Sequence, residues 1–497
     1  MDDSLFCSDL PTKPIPEKGV ILVSGASGYI GGRLVPELLC RGYRVRVMVR
    51  SYSPDYPERW PGAEVYVVDA LDKQALVEAM KDVYAAFYLI HSMLLGKNKF
   101  ECVDCLAAQN FSEAAEENNV QRIIYLGGLG DVGTDLSQHL RSRIQVAEEL
   151  ARGKVPVTVL RAAVIIGSGS ASYEILKNLV KKFPVILSPT WARTRCQPIA
   201  IRDVVKYLVG VMETEETKGK SYDIGGPEIL DYQKMMQIID EVMGKKRRFI
   251  PLPFSAARLF SYTLSFFTPV PAAITMCLMG SCENEVVCQN KKIVEIFPIT
   301  RLTYREAVIR ALTREEQDKI HTRWSDAYPP AHELAIKLHE LPSTPEYTST
   351  YSIDTDKDKA ALFNSICKVG GKHGWFNSNF LWRLRGLIDR LFMGVGTIRG
   401  RRSDSTLRLN DVIDFWRVED LRQNEMLLLR AEMILPGKAW LMFTIEPKEN
   451  INTLTVKAFY TANGLFGKTY WYLFLPFHHF IFYDLIKQIV KRSIPNK

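Results

Sequence analysis

Three glycines, Gly25, Gly28 and Gly31, separate an apolar run from a helical pattern near the start of the chain. The apolar run, residues 20–23, is typical of a buried strand, and residues 33–40 have helical spacing. Gly25 permits a tight turn, Gly28 allows the backbone to approach a pyrophosphate, and Gly31 allows close packing of helix on sheet. The pattern predicts a dinucleotide site with phosphates at the helix N-terminus. A glycine-rich turn that only packs tightly is the alternative.

Apolar runs and helical patterns alternate through the first third of the chain. The strands predicted after the glycine loop are residues 43–49, 64–68, 85–90, 122–126 and 157–160. This alternation predicts an α/β fold, a doubly wound parallel sheet of the Rossmann type. Because ligands of such sheets lie beyond the carboxyl ends of the strands, residues at those ends are candidates for the site.

The second predicted strand ends in Val49-Arg50-Ser51, without the acidic residue that NAD enzymes usually carry for the ribose hydroxyls. Arg50 is able to pair with a 2′-phosphate through two parallel hydrogen bonds. Arg33 lies at the start of the neighbouring predicted helix. We therefore expect NADP(H) in preference to NAD(H), with a solvated surface arginine as the alternative for Arg50.

Several short strings carry a family resemblance: Tyr88-Leu-Ile-His-Ser-Met93, Tyr125-Leu-Gly-Gly-Leu129, His139-Leu-Arg-Ser-Arg143 and Gln197-Pro-Ile-Ala-Ile201. Together with the glycine loop, they resemble the atypical, extended-like branch of the short-chain dehydrogenase/reductase superfamily. The chain is similar to a bacterial NAD(P)H-binding subgroup with a fused C-terminal domain of unknown function, related to the Rossmann-type accessory subunit of complex I. The resemblance spans nearly the whole chain after residue 19 and brings no known substrate.

The resemblance adds positions at the strand ends to the predicted cofactor site. It implies that Asp69 and Ala70 adjoin the adenine, and that Ile90 and His91 follow the ribose and phosphates. With the loop and Arg50, the predicted cofactor residues are Gly25, Ser27, Gly28, Tyr29, Ile30, Gly31, Arg50, Asp69, Ala70, Ile90 and His91.

The catalytic positions depart from the superfamily pattern, which has Ser or Thr after the fifth strand and Tyr-x-x-x-Lys on the next helix. Here the strand ends in Gly127-Gly128, and His139 and Arg143 hold the i, i+4 positions. In one interpretation His139 donates a proton, as histidine titrates near neutral pH, and Arg143 holds the ribose. In a second, the site only holds the nucleotide, because arginine stays protonated. In a third, His139 is a helix-surface residue.

Composition restricts the remaining classes. A chain of 497 residues with 47% hydrophobic residues predicts two globular domains. Its net charge of +8 is scattered, which argues against nucleic acid as a partner. Nine cysteines, an odd number, indicate reduced thiols and a cytoplasmic location. Because Cys102 and Cys105 lie in a helical pattern without a second cysteine pair, we expect no metal site. We expect no secretory signal in residues 1–18 and no transmembrane segment, since no apolar stretch reaches about 18–20 residues.

The predicted layout has four parts: a flexible leader (1–18), an NAD(P)-binding Rossmann domain with a small substrate lobe (19–315), a linker (316–348) and an α+β domain (349–497). In the last part, two predicted helices precede strands and a closing helix; the ranges are 357–369, 382–392, 411–418, 425–434, 439–446, 453–461 and 471–491. This order resembles a helix-grip, lipid-transfer-like fold, which leaves an apolar cavity for a lipid-like ligand.

The aromatic stretch at residues 470–482 has three explanations: core packing, the lining of a ligand cavity, and contact with a membrane surface. The whole chain predicts one of two functions. The first is an NADP(H)-dependent reductase or epimerase-like oxidoreductase acting on a small or apolar substrate. The second is a non-catalytic NADP(H)-binding redox sensor or assembly factor, with a lipid-like ligand in the C-terminal domain.

Overall fold

A computed structural model describes residues 5–53, 55–91, 100–130, 136–255, 257–316, 322–326, 337–392, 394–404, 406–449 and 451–493. The chain divides into two compact units, Met1–Pro330 and Ala331–Lys497. No helix in the described part of the chain combines the length and apolar character that a membrane span requires.

The first unit contains a parallel sheet and several short strand pairs. Its strands are β1 (Val20–Ser24), β2 (Val45–Val49), β3 (Glu64–Val67), β4 (Val83–Tyr88), β5 (Arg122–Gly128), β6 (Val157–Ala162), β7 (Ile165–Ile166), β8 (Val185–Ser188), β9 (Arg195–Cys196), β10 (Ile199–Ala200), β11 (Ser221–Ile224), β12 (Leu230–Asp231) and β13 (Arg248–Pro251). Seven of them form the main sheet, in the order β11-β6-β5-β4-β1-β2-β3, with parallel neighbours throughout.

Helices cover both faces of this sheet. The helices of the first unit are α1 (Gly31–Cys40), α2 (Tyr56–Arg59), α3 (Lys73–Ala79), α4 (Phe100–Glu117), α5 (Gln138–Ala151), α6 (Ala171–Lys182), α7 (Ile201–Glu213), α8 (Tyr232–Val242), α9 (Ala257–Phe267), α10 (Ala272–Ser281), α11 (Lys292–Ile296) and α12 (Tyr304–Glu316). Alternate residues of β1 face opposite cores: Ile21 packs with α1 and α7, and Leu22 packs with α3, α4 and α5. The predicted doubly wound Rossmann fold is confirmed.

A small lobe follows the sixth strand of the sheet. Three strand pairs, β7–β10, β9–β12 and β8–β13, combine with α6, α8, α9, α10 and α12 around a separate apolar core. Pro269 and Pro271 lie between α9 and α10, where proline prevents one helix from running through. The apolar residues of this segment therefore form two short helices that pack into this lobe.

Residues 5–18 differ from the flexible leader predicted from composition. The buried carboxylate of Glu37 on α1 accepts hydrogen bonds from the backbone N–H groups of Phe6 and Cys7. Arg41 donates to the Cys7 carbonyl oxygen at 3.0 Å and to the Thr12 carbonyl oxygen at 2.8 Å. A buried carboxylate needs donors, and this segment supplies them, so the described leader lies against α1.

The second unit is an α+β unit with an antiparallel sheet. Its elements are β14 (Tyr347–Thr355), α13 (Lys359–Ile366), α14 (Asn379–Leu391), β15 (Val412–Ile413), β16 (Trp416–Arg422), β17 (Met426–Ala431), β18 (Gly437–Lys448), β19 (Ile451–Ala462) and α15 (Gly464–Arg492). The strand order is β14-β19-β18-β17-β16-β15, and α15 packs against β14 and β19.

Three details of the second unit differ from the sequence prediction. β14 was not predicted and forms one edge of the sheet. The strand predicted at residues 411–418 is instead a tight hairpin of β15 and β16, with Asp414 in its turn at φ +53°. The closing helix begins at Gly464 rather than residue 471 and continues through Pro476.

Candidate functional site

The glycine loop between β1 and α1 leaves no room for side chains. Gly25 has φ +65°, and a Cβ there would lie 2.7 Å from the Leu89 carbonyl oxygen. A Cβ on Gly31 would lie 2.7 Å from the Ala26 Cα and closer still to the Gly25 carbonyl oxygen. Between them, the Gly28 N–H donates to the Gly25 carbonyl oxygen at 3.0 Å. The N-terminus of α1 therefore lies behind a tight, bare loop, which is the arrangement that fits a pyrophosphate.

We expect Gly31→Ala to weaken NADPH binding by about tenfold or more, which corresponds to about 1.4 kcal/mol. The added Cβ displaces the Gly25 turn, because it overlaps backbone atoms that cannot rotate away. Isothermal titration measures the affinity, and thermal unfolding monitors the fold. Gly280→Ala is the matched control, since a Cβ there meets nothing within 4 Å. Equal NADPH affinity in both variants would contradict a role for the loop.

The end of β2 forms the next part of the site. Arg50 is exposed and lines a cavity of about 420 Å³ together with Met48, Val49 and the buried Ala70. Asp69 lies outside this wall; it is exposed, and its Oδ1 accepts a hydrogen bond from the Leu71 N–H at 3.0 Å. The predicted cofactor residues that do line the cavity are Gly25, Ser27, Gly28, Tyr29, Ile30, Gly31, Arg50, Ala70, Ile90 and His91.

Arg33 does not join Arg50 in this part of the site. Its guanidinium lies over the Tyr29 ring at 4.3 Å and donates to the carbonyl oxygens of Ser168 (2.9 Å) and Thr322 (3.2 Å). The side chain is buried, and its hydrogen bonds connect the segments around Ser168 and Thr322 to α1. Placing Arg33 beside a 2′-phosphate, as its sequence position suggested, is therefore wrong.

Two histidines and an arginine meet at the carboxyl ends of β4 and β5. The rings of His91 and His139 have centroids 5.1 Å apart. Arg143 on α5 lies over the Tyr125 ring at 4.8 Å and donates through Nη2 to the Leu126 carbonyl oxygen. All three side chains line the cavity. Within the described residues, three of their buried atoms have no hydrogen-bond partner: His91 Nε2, His139 Nδ1 and Arg143 Nη1.

Asp104 on α4 is a site residue that the sequence interpretation missed. It is almost fully buried, and its Oδ2 lies 3.0 Å from His91 Nδ1. The Nδ1–H group of His91 donates a hydrogen bond to this carboxylate, which orients the ring and leaves Nε2 for other partners. The sequence does contain a signal for this residue. Asp104 has helical spacing with the apolar Ala108 and Phe111, which are buried, and a carboxylate is unusual on the buried face of a helix.

Burial and positive neighbours make both histidines weak bases. Burial lowers the pKa of His139 well below its ordinary value of 6.5, and His91 and Arg143 lower it further. Burial and Arg143 also lower the pKa of His91, while Asp104 opposes that change. Burial therefore favours the neutral form of both rings, and Asp104 favours the charged form of His91.

The same cavity extends into an apolar chamber formed by the small lobe. α6 and α10 supply most of its wall, whose residues include Leu129, Leu140, Ile175, Leu176, Leu179, Trp191, Ile274, Leu278, Met279, Val286 and Trp324. Trp324 comes from residues 322–326, held by its N–H donating to the Gly169 carbonyl oxygen at 2.9 Å. The cavity thus joins a bare phosphate loop, a polar centre and an apolar chamber, an arrangement suited to a dinucleotide and an apolar molecule together.

Family comparisons agree with this geometry. Residues 17–296, more than half of the chain, match the NmrA-like family. The chain belongs to the NmrA-like family. Residues 341–485 match a second family, described as a protein of unknown function (DUF2867). The predicted membership of the atypical short-chain dehydrogenase/reductases is confirmed, and the NmrA-like unit is an NAD(P)-binding, oxidoreductase-type domain.

Relatives of the NmrA-like unit carry several different names. The NADH dehydrogenase (ubiquinone) 1 alpha subcomplex subunit 9 of Arabidopsis thaliana is 25% identical over 256 residues, which cover 50% of this chain and 63% of that protein. The divinyl chlorophyllide a 8-vinyl-reductase of Zea mays is 26% identical, covering 49% and 64%. The ceramide reductase of Caulobacter vibrioides is 28% identical, covering 48% and 74%. The chain therefore spans less than two thirds of the first two relatives.

Proposed function

We propose that the NmrA-like unit is an NADP(H)-dependent reductase of a small apolar molecule. The observation that carries this proposal is the single cavity that connects the glycine loop, the histidine pair and the apolar chamber. The bare loop fits the phosphates, and the same cavity is lined by His91 and Arg143, each of which has a buried nitrogen without a hydrogen-bond partner among the described residues. NADPH, when bound, supplies the hydride.

The residues of the chain have separate tasks in this proposal. Arg143, already fixed to the end of β5, holds the ribose with its remaining N–H groups. His91 and His139 deliver the proton that a reduced carbonyl oxygen takes up, with His91 the more basic ring because Asp104 stabilises its charged form. Asp104 is a positioning residue: it fixes the His91 tautomer without touching the substrate.

The chamber supports an apolar substrate. Its wall of leucine, isoleucine, methionine and tryptophan side chains offers burial and few hydrogen bonds. Two relatives bear names of reductases, for divinyl chlorophyllide and for ceramide. These names lend support to reduction of an apolar compound by this chain, and they do not specify which compound.

The preference for NADP(H) is tested by Arg50→Ala. We expect NADPH affinity to fall by about tenfold or more, about 1.4 kcal/mol, and NADH affinity to stay unchanged, because only NADPH carries a 2′-phosphate. Isothermal titration of the cofactor-free protein measures both. Arg44→Ala is the matched control, since Arg44 is an exposed arginine before the opposite end of β2. Equal losses for both nucleotides would contradict the assignment.

The reductase proposal itself is tested by transfer of deuterium from labelled NADPH to a panel of apolar ketones, quinones and enones. Transfer to one face of one compound class supports it. Tight NADPH binding without transfer to any compound favours the second candidate, a non-catalytic NADP(H)-binding sensor or assembly factor. One observation favours that candidate: β5 ends in Gly127 and Gly128, which offer no hydroxyl, beside a neutral His139.

For the second unit we propose a helix-grip arrangement with a lipid-like ligand. Support comes from α15, whose Phe482, Leu485, Ile486 and Ile489 are buried in the core formed with the antiparallel sheet. Titration of the full chain with a fluorescent fatty acid tests the ligand: saturable binding supports it, and no binding contradicts it.

A further inference from the structure

The second unit exposes an unusual amount of apolar surface on two helices. Within its described residues, fourteen of the fifteen large apolar side chains that are exposed lie on or beside α14, at Ile434, or on the first half of α15. Each of the six aromatic side chains among these fourteen carries roughly 150–250 Å². Their exposed area is therefore on the order of 1,000 Å², above the ~300–600 Å² of the largest patch on a typical monomer.

On α14 the apolar side chains lie mainly on the exposed side of the helix, the reverse of the usual amphipathic pattern. The exposed side chains recur at helical spacing and are almost all apolar: Phe380, Leu384, Leu387, Ile388 and Leu391, followed by Phe392. Its single acidic residue, Asp389, points inward and accepts hydrogen bonds from the N–H groups of Gly396 (2.8 Å) and Ile434 (2.7 Å). Arg383 is the polar side chain exposed among the apolar ones.

The first half of α15 repeats this pattern. Leu465, Phe466, Tyr472, Leu473, Phe477 and Phe480 are 48–82% exposed. Residues 464–483 contain no Asp or Glu, and Lys468 is exposed among the apolar side chains. The opposite side of the helix, with Trp471 and Phe482, packs into the unit.

One arginine joins the two helices into a single face. Arg385 on α14 donates to the Ile434 carbonyl oxygen at 2.8 Å and lies 3.4 Å from the Tyr470 hydroxyl of α15. The exposed stripes of α14 and α15 therefore border one another, with Ile434 between them. We call the surface of exposed apolar residues on α14, Ile434 and residues 465–480 the apolar face.

We propose that the apolar face is a peripheral membrane-binding surface for bilayers that contain anionic lipid. Phenylalanine, leucine and tyrosine side chains insert at the boundary of headgroups and acyl chains, and the exposed Arg383 and Lys468 meet anionic headgroups. The described part of the face carries no exposed carboxylate to oppose them. A two-fold pairing with a second copy would instead bury the cations of both copies in one interface whose described residues offer no exposed carboxylate, which disfavours self-association.

Flotation of the full chain with vesicles tests the proposal. We expect the protein to rise with vesicles of equal phosphatidylcholine and phosphatidylglycerol, and to bind pure phosphatidylcholine several-fold less. The combined variant Phe392→Ser, Phe466→Ser and Phe480→Ser is expected to bind the mixed vesicles at least tenfold less. These side chains are 70–75% exposed, so the fold does not depend on them. Phe254→Ser with Tyr262→Ser, exposed in the first unit, is the matched control.

A second variant separates charge from apolar contact. Arg383→Glu with Lys468→Glu is expected to remove the preference for anionic vesicles, whereas Arg44→Glu with Lys154→Glu leaves it intact. The proposal is overturned if the protein binds neither vesicle type, or if the triple serine variant binds as well as the natural chain. Light scattering provides a further test. If the natural chain is a dimer that binds no vesicles, and the triple serine variant is a monomer, the apolar face belongs to a second copy and the membrane proposal is overturned.

Discussion

Glu432→Gln is expected to lower the free energy of unfolding of the second unit by about 3–5 kcal/mol. The Glu432 carboxylate receives hydrogen bonds from three nearly buried arginines: Arg399 at 2.6 Å, Arg417 at 2.5 Å and Arg430 at 3.3 Å. A neutral amide leaves these guanidinium groups without the anion that compensates their burial. Hydrogen exchange of β17 amides in the intact chain, followed by mass spectrometry, measures the loss.

The matched control is Asp420→Asn. Asp420 pairs with Arg422 at 3.3 Å on the surface of the neighbouring strand, where removal of a charge costs about 1 kcal/mol or less. Equal hydrogen exchange in the two variants would show that the Glu432 cluster contributes no more than a surface pair.

The same cluster predicts a dependence on pH. Although burial raises the pKa of Glu432, Arg417 and Arg399 outweigh that effect and hold it well below 4.5. The pKa of Glu432 is therefore lower in the folded than in the unfolded state. Its contribution to the free energy of unfolding is present above the unfolded pKa, about 4.5, and is lost as the pH falls from there toward the folded pKa. Glu432→Gln should flatten this acid dependence of β17 exchange.

His139→Phe is expected to lower hydride-transfer turnover by about 10²–10⁴-fold while NADPH affinity changes less than about tenfold. Phenylalanine fills the space of the imidazole and removes both nitrogen atoms, so the proton path is lost and the loop is untouched. Deuterium transfer from labelled NADPH measures the rate. His373→Phe, at an exposed histidine of the second unit, is the control.

Asp104→Asn tests whether His91 carries the proton. Asp104 raises the pKa of His91 against burial and Arg143, so its removal lowers that pKa further. A protonated donor is active below its pKa, and the decline of the rate with rising pH should therefore move to lower pH. An unchanged pH profile in Asp104→Asn, together with normal turnover in His139→Phe, would exclude the histidine pair as the proton donor.

Much of the nucleotide half could be predicted because its signals are local. Glycine is the residue that tight turns and close backbone contacts require, so Gly25, Gly28 and Gly31 predicted a tight loop. In the structure a Cβ on Gly25 or Gly31 would overlap backbone atoms, as that prediction expects. β1 is buried on both faces, and its continuous apolar run allowed it to be recognised as a strand. The i, i+4 spacing likewise brought His139 and Arg143 to one wall.

What could not be predicted depends on partners distant in sequence. Arg33 was placed near the 2′-phosphate because it lies at the start of the helix after the glycine loop, but it donates to the carbonyl oxygens of Ser168 and Thr322, which are far along the chain. The pairing of His91 with Asp104 required knowing how β4 meets α4. β14 was missed because its Tyr, Ser and Thr residues resemble a polar linker. Only its pairing with β19, which is about 100 residues later in the chain, shows that it is an edge strand.

The position of Trp324 bears on how this protein is divided for study. Sequence patterns placed the end of the nucleotide domain at residue 315, yet the segment that contains Thr322 and Trp324 is bound to Arg33 and Gly169 and forms part of the cavity wall. A fragment cut at residue 315 would bind nucleotide through an intact loop while one side of its chamber stood open to water. Ligand-binding profiles from such a fragment would describe a wider, more hydrated chamber than that of the full chain.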